Sequence, residues 1–292
     1  MVIYDAHPAI PAFLESAVAV LATAGVIHLL GVLGSPGKAV RDRLARAPGL
    51  DVLVAWMTLG PPAVAWVMAA TRGRDGWTVL ACIGASVAGQ IVALYLWCWM
   101  HELANLKKLR AAKGARLVSS INRNLGGPIV GRLCNHFGLL WMLWAVPLFS
   151  VVRFAEYWVY PVLVVITKLP KYKHSDWVNV SRHKFDGLVG HDLIWCLYCD
   201  WMTGVWSLGT EMLRNIESFW CPIRFLSPEK CANCVQDFPD VNHGWVKETA
   251  SAADAAKLID ARYPAPDGTN AWLNHPVRLT VNGGVIGSRT GE

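Results

Sequence analysis

The chain has 292 residues, of which 54% are hydrophobic and only 16% charged. Soluble domains run at roughly 25% charged, so one soluble globule does not account for the whole chain; the apolar excess is concentrated before about residue 170. The net charge of +6 is spread over short loops, which suits lipid headgroups and not a nucleic-acid footprint.

Met1 to Glu15 holds Asp5 and Glu15 but no Lys or Arg, so no secretory signal is expected and the first apolar segment reads as a retained helix. Ala12 to Leu33 is long enough to span a hydrocarbon core of roughly 30 Å, with Ser35-Pro36-Gly37 as its stop. Leu50 to Ala70 is the second predicted span and carries Pro61-Pro62, which should kink it. Trp77 to Met100 is the third, with Trp97 and Trp99 at its end as an interfacial belt. From His101 to Leu117, leucines recur at helical spacing among Lys107, Lys108, Arg110, Lys113 and Arg116, which predicts a helix on the membrane surface or an extension of the third span. Gly126-Gly127-Pro128 ends that stretch.

Phe137 to Val152 and Tyr157 to Thr167 are too short for two crossings. They read first as one tilted span plus an interfacial helix and second as a re-entrant hairpin. Arg153 and Glu156 interrupt them at a spacing that allows an ion pair. The basic loops after spans one and three place both inside, and four spans leave the tail outside. Leu188 to Leu208 would reverse that as a fifth crossing, but His191, Asp192 and Asp200 make membrane depth costly. A buried or interfacial helix is the preferred reading.

Further on, Ser207 to Phe219 reads as an amphipathic helix with a surface pair Glu211/Arg214, and Ser251 to Asp254 as a capping box before a helix to Arg262. Asn282-Gly283 fits the turn of a hairpin from Arg278 to Ile286. The expected fold is therefore mainly α: a transmembrane helical domain of about four spans over residues 1–170, and a small cysteine-rich α+β domain over 171–292.

Two Cys-x-x-Cys pairs carry the chemistry: Cys196/Cys199 and Cys231/Cys234. Two such pairs make a tetrahedral thiolate site. Their gap of 31 residues, though, exceeds the ribbon spacing of about 15–20. The other partition is Cys221, Cys231, Cys234 and His243, which leaves Cys196 and Cys199 as a dithiol. Zinc suits either set, and an iron–sulfur cluster suits the all-thiolate one. In an oxidising compartment disulfides or thiol exchange replace metal. His28, His101 and His136 fall on one side of the bilayer by alternating topology, where they offer a second metal or a haem site. His191-Asp192 offers a further ligand or an orienting group. Asp200, Glu211, Glu217 and Asp237 read as caps and solvated faces, and Cys82 and Cys98 as buried small hydrophobes.

No Walker loop, dinucleotide fingerprint, Gly-x-Ser-x-Gly elbow, His-Glu-x-x-His helix or Cys-x-x-Cys-His motif is present, so no motif assigns a reaction. The leading expectation is a multi-pass protein of the cell membrane carrying a cysteine-ligated metal or redox site, as a subunit or accessory factor of a larger membrane complex. Its partners would be the bilayer and other membrane subunits, with no nucleic acid. The alternatives are a membrane metalloenzyme or haem electron carrier using His28, His101 and His136, and a structural docking subunit without chemistry.

Overall fold

A computed structural model of the chain describes residues 7–111, 116–185, 187–220, 249–264, 268–270, 279–281 and 284–286, with Ile223, Glu229 and Val246 singly. In chain order the helices are α1 (Ala9–Leu30), α2 (Gly34–Leu44), α3 (Gly49–Thr58), α4 (Gly60–Thr71), α5 (Gly76–Ala104), α6 (Leu106–Ala111) and α7 (Leu117–Asn124). They continue as α8 (Val130–Met142), α9 (Ala145–Thr167), the single turn α10 (His174–Trp177), α11 (Gly190–Trp220) and α12 (Ala252–Arg262).

Three helical stretches are long and apolar enough to cross a membrane: α1, α5 and Val130–Thr167, which comprises α8 and α9. The pair α3 and α4, bent by 50°, makes a fourth if it is one span. The bend falls at Gly60, with proline in the first turn of α4, where a missing N–H costs no hydrogen bond. The predicted proline kink is thus a full break. The 38 residues of Val130–Thr167 would rise about 57 Å as straight helix, nearly twice a hydrocarbon core, so they exceed one crossing. α11 is not among the membrane-crossing candidates.

The first apolar helix ends at Leu30, not Leu33. Ser35-Pro36-Gly37 does not stop it: these residues open α2. Gly34 makes the reversal at φ +64, and a Cβ on Gly37 would run into the Leu30 carbonyl, so α2 folds back tightly onto the end of α1. Past Ala104 the helix restarts as α6.

The chain forms two compact units, residues 1–150 with 178–204, and 151–177 with 205–292. In the first, α1 and α5 pack through small residues: Ala12, Ser16 and Val20 against Cys82, Ser86, Gly89 and Ala93, all buried. Ser16 Oγ meets Ser86 Oγ at 2.6 Å. Ala65 and Ala69 of α4 join Ala12 and Cys82 in one apolar cluster. This is the close approach that small residues permit between helices in lipid. Gln90 Nε2 donates to the Met57 and Thr58 carbonyls at 2.8 and 3.3 Å, which ties the end of α3 to α5. The outward faces are apolar: Val18 is 64% exposed and Val52 68%. Exposed Trp77 and Trp99 flank α5 at its two ends, as in an interfacial aromatic belt.

In the second unit, Tyr160, Leu169, Trp177, Val205, Leu208 and Met212 are buried. α12 starts with the predicted capping box: Ser251 and Asp254 exchange side-chain to backbone hydrogen bonds. Glu211 pairs with Arg214 at 3.1 Å, but Glu211 is buried and not on a surface. β1 (Leu279–Val281) pairs antiparallel with β2 (Gly284–Ile286). Two strands of three residues make no sheet layer, so the expected cysteine-rich α+β domain is not supported and the described fold is helical. Cys221, Cys231, Cys234, Asp237 and His243 lie outside the described residues.

Candidate functional site

Cys196 and Cys199 sit three residues apart on α11, free and partly exposed. A 3-10 turn at Arg182–Lys184 is held beside them. Asp200 Oδ2 accepts the Ser181 and Arg182 N–H groups at 2.9 Å each, and its Oδ1 takes Arg182 Nε at 2.9 Å. Asp200 is therefore a cap, as expected from the sequence. The clamp holds the guanidinium near the two thiols, and Cys199 first, then Asp200, raise the Arg182 pKa above its usual value. Burial pushes the Cys196 thiol up, with Arg182 opposing. Residues three apart on a helix have Cβ atoms about 5–6 Å apart, whereas a disulfide needs about 3.5–4.5 Å. Two sulfurs at this spacing reach one ion more easily than they reach each other.

The first half of α11 is tied at both ends to the same end of the helix bundle. At its start the Gly190 N–H donates to His101 Nδ1 at 3.0 Å and the His191 N–H to Glu102 Oε1 at 3.3 Å. Glu102 also receives both terminal nitrogens of Arg116, one of them at 2.8 Å. Asp192 caps α7 by accepting the Leu117 and Val118 N–H groups at 3.1 Å each. Eleven residues on, Trp201 Nε1 donates to Asp51 Oδ1 at 2.9 Å, at the start of α3. The chain before α11 is pinned there too, by Ala47 N to Val178 O at 3.0 Å and Val180 N to Ala45 O at 2.9 Å. Gly190 has φ +51, and a Cβ there would strike the Glu102 side chain, so the entry to α11 requires glycine. Cys196 and Cys199 thus lie on a helix laid across the end of the bundle that carries α2 and α6. His191, Asp192 and Asp200, which argued against a span, are the groups that fasten it.

His28, His101 and His136 are not brought together as a ligand set. Among the described residues no group of three or more His, Cys, Asp or Glu is placed to hold a metal ion. His28 is exposed at the end of α1, and His101 Nδ1 is occupied by Gly190. His136 meets a different histidine: its ring lies 4.9 Å from that of His191 and 5.9 Å from Tyr95. His136 Nδ1 donates to the Arg132 carbonyl at 2.7 Å. Trp195 Nε1 is only a donor, so its 3.1 Å bond to His191 Nε2 puts the neutral proton of His191 on Nδ1, a buried atom without a hydrogen-bond partner.

Burial first, then His136, lowers the His191 pKa below its usual 6.5. The unfolded chain therefore takes up this proton before the folded one does. Stability is complete above about pH 6.5 and falls as pH drops below it. His191→Gln removes that contribution: a Tm-against-pH profile of purified protein flattens on the acid side of neutrality. An unchanged slope contradicts a neutral His191.

In the second unit, Arg153 and Glu156 form the expected ion pair, and both are buried. Arg153 Nη2 also reaches Tyr157 Oη at 2.9 Å, with the guanidinium 4.4 Å from the centre of that ring. Tyr157 stacks on His174 at 4.6 Å. Asn215 donates to Tyr172 Oη and to the Glu211 carbonyl, and burial raises the Tyr172 pKa. Cys82 and Cys98 are buried, as expected, and Cys134 is exposed.

Comparison with protein-family models, with curated proteins and with solved structures finds no match to the chain.

Proposed function

We propose that this is a multi-pass protein of the cell membrane whose Cys196/Cys199 pair supplies two thiolates to a thiophilic metal ion, zinc first, as an accessory subunit of a larger membrane complex. The observation that carries the reading is the pair itself: two free, part-exposed thiols on one helix face, beside a turn that Asp200 holds through Arg182. The basic end of the bundle faces the cytoplasm under the positive-inside rule, a reducing compartment in which thiols serve as ligands more readily than as structural disulfides. Their helical spacing favours a shared ion over an internal bond. Two thiolates are half of a tetrahedral set. The rest of the set comes from outside the described residues or from a partner subunit, which fits an accessory role.

The test is metal content after purification in detergent under reductant. Wild-type protein is expected to retain zinc, and bound zinc slows alkylation of its thiols. Cys196→Ser with Cys199→Ser is expected to lose that metal while keeping its helical circular dichroism. Equal metal content in both proteins, or none in either, overturns the proposal.

A further inference from the structure

The end of the bundle crossed by α11 is strongly basic, with Asp42 of α2 as an exposed carboxylate among its cations. Lys38, Arg41 and Arg43 of α2 and Lys107, Lys108 and Arg110 of α6 are exposed, and none of them forms an ion pair among the described residues. Three carboxylates of that end are already engaged: Glu102 by Arg116, Asp192 by the α7 backbone and Asp200 by Arg182. At the opposite end, the turn between α4 and α5 holds Arg72 and Arg74 beside Asp75, which caps α5.

At the same end α7 leaves an apolar face about half exposed among the described residues. Leu117, Ile121 and Leu125 recur every four residues along α7 and are 44–52% exposed. The helix is fixed from its other side. Asn122 is buried and its Oδ1 accepts from Asn135 Nδ2 at 3.0 Å. A Cβ on Gly131 would run into the Asn122 carbonyl, and Asp192 holds the N-terminal turn. α7 is therefore a rigid amphipathic helix whose outward stripe continues into exposed Ile129 and Leu133 beside the apolar outer surface.

We propose that α2, α6 and α7 form a binding face for anionic phospholipid. The Leu117, Ile121 and Leu125 side chains enter the acyl boundary while the six cations of α2 and α6 hold headgroup phosphates. An apolar stripe flanked by unpaired Lys and Arg is how a helix lies in a lipid interface. A nucleic-acid face would gain nothing from exposed leucines. Each cation near an anionic surface contributes about 1 kcal/mol, a factor of about five in lipid preference.

The experiment reconstitutes the full chain in phosphatidylcholine vesicles containing about one quarter phosphatidylglycerol, a minority anionic fraction as in natural leaflets. It then re-extracts the protein in mild detergent and measures the lipid ratio that accompanies it. Wild-type protein is expected to carry phosphatidylglycerol well above the vesicle ratio at low salt. The enrichment should fall toward that ratio near 1 M salt, where the Debye length is about 3 Å. Lys107→Gln with Lys108→Gln and Arg110→Gln should lower it several-fold with an unchanged Tm. Arg72→Gln with Arg74→Gln, at the other end, should leave it intact. Three outcomes overturn the proposal: lipid recovered at the vesicle ratio, enrichment unchanged in the α6 variant, or a variant that keeps its lipid but loses co-purifying nucleic acid.

Discussion

Arg153→Ala is expected to destabilise the protein by about 3–5 kcal/mol, because it removes the cation paired with the buried Glu156 carboxylate. Arg153 and Glu156 are 4% and 3% exposed, so water cannot take over the missing role. Gly209 has hydrogen where any other residue would bring a Cβ to 3.1 Å from Glu156 Oε1, so the acid is packed on that side by backbone and has little room to turn away. The loss is a large share of the roughly 5–15 kcal/mol that a folded protein has, and it should appear as a sharply lowered Tm in detergent. The double change Arg153→Met with Glu156→Leu removes both charges at similar volume and is expected to restore most of the Tm, since a buried pair replaced by apolar groups is often neutral. If Arg153→Ala melts like wild type, the pair is not desolvated as described. If the double variant folds but a transport or redox activity disappears, the pair belongs to a proton or substrate path and not only to the fold.

What the sequence made legible was local. Pro61 marked a break, Ser251 and Asp254 a cap, Arg153 and Glu156 a pair three residues apart, because each signal and its consequence lie within one helical turn. The arrangement that places the cysteines depends on contacts the chain separates widely. Asp192 caps a helix 75 residues away, and Trp201 bonds an aspartate 150 residues away. Three histidines near one membrane face looked like a ligand set because topology alone groups them by depth. Depth fixes one coordinate and leaves two free, and in those two the ring beside His136 is His191. The polar residues of Leu188 to Leu208 mark it in the sequence as a poor membrane span, and α11 is not among the helices apolar enough to cross. That they fasten the helix across the bundle could be learned only from their partners. The region expected to be α+β misled for a different reason: an Asn-Gly turn signals a hairpin, and a hairpin of two short strands is not a domain.

The contact between α1 and α5 makes the second large effect. Gly89→Leu is expected to separate the two helices, since even a Cβ at this position would run into the Phe13 carbonyl. The obstacle is main chain, held by its own helix, and no rotamer change moves it. Overpacking a filled interior costs about 1–3 kcal/mol when side chains can shift, and a collision with backbone belongs at or above the top of that range. Ser86→Ala provides the comparison at the same interface. It removes the 2.6 Å bond to Ser16 but adds no volume, and interhelical hydrogen bonds in membranes are worth only about 0.6 kcal/mol on average. Steric fit, and not the buried hydroxyl pair, should therefore dominate this interface, and Tm values in detergent should fall far more for Gly89→Leu than for Ser86→Ala. The reverse order would mean that hydrogen bonding holds α1 to α5. Equal small losses would mean that the helices do not approach as closely as Gly89 allows. The same displacement has a reach beyond packing. α5 carries His101 and Glu102, which receive the first two N–H groups of α11, so a wedge at Gly89 should also loosen the start of the helix that bears Cys196 and Cys199. Faster alkylation of those two thiols in Gly89→Leu, at temperatures below its Tm, is the expected sign of that coupling.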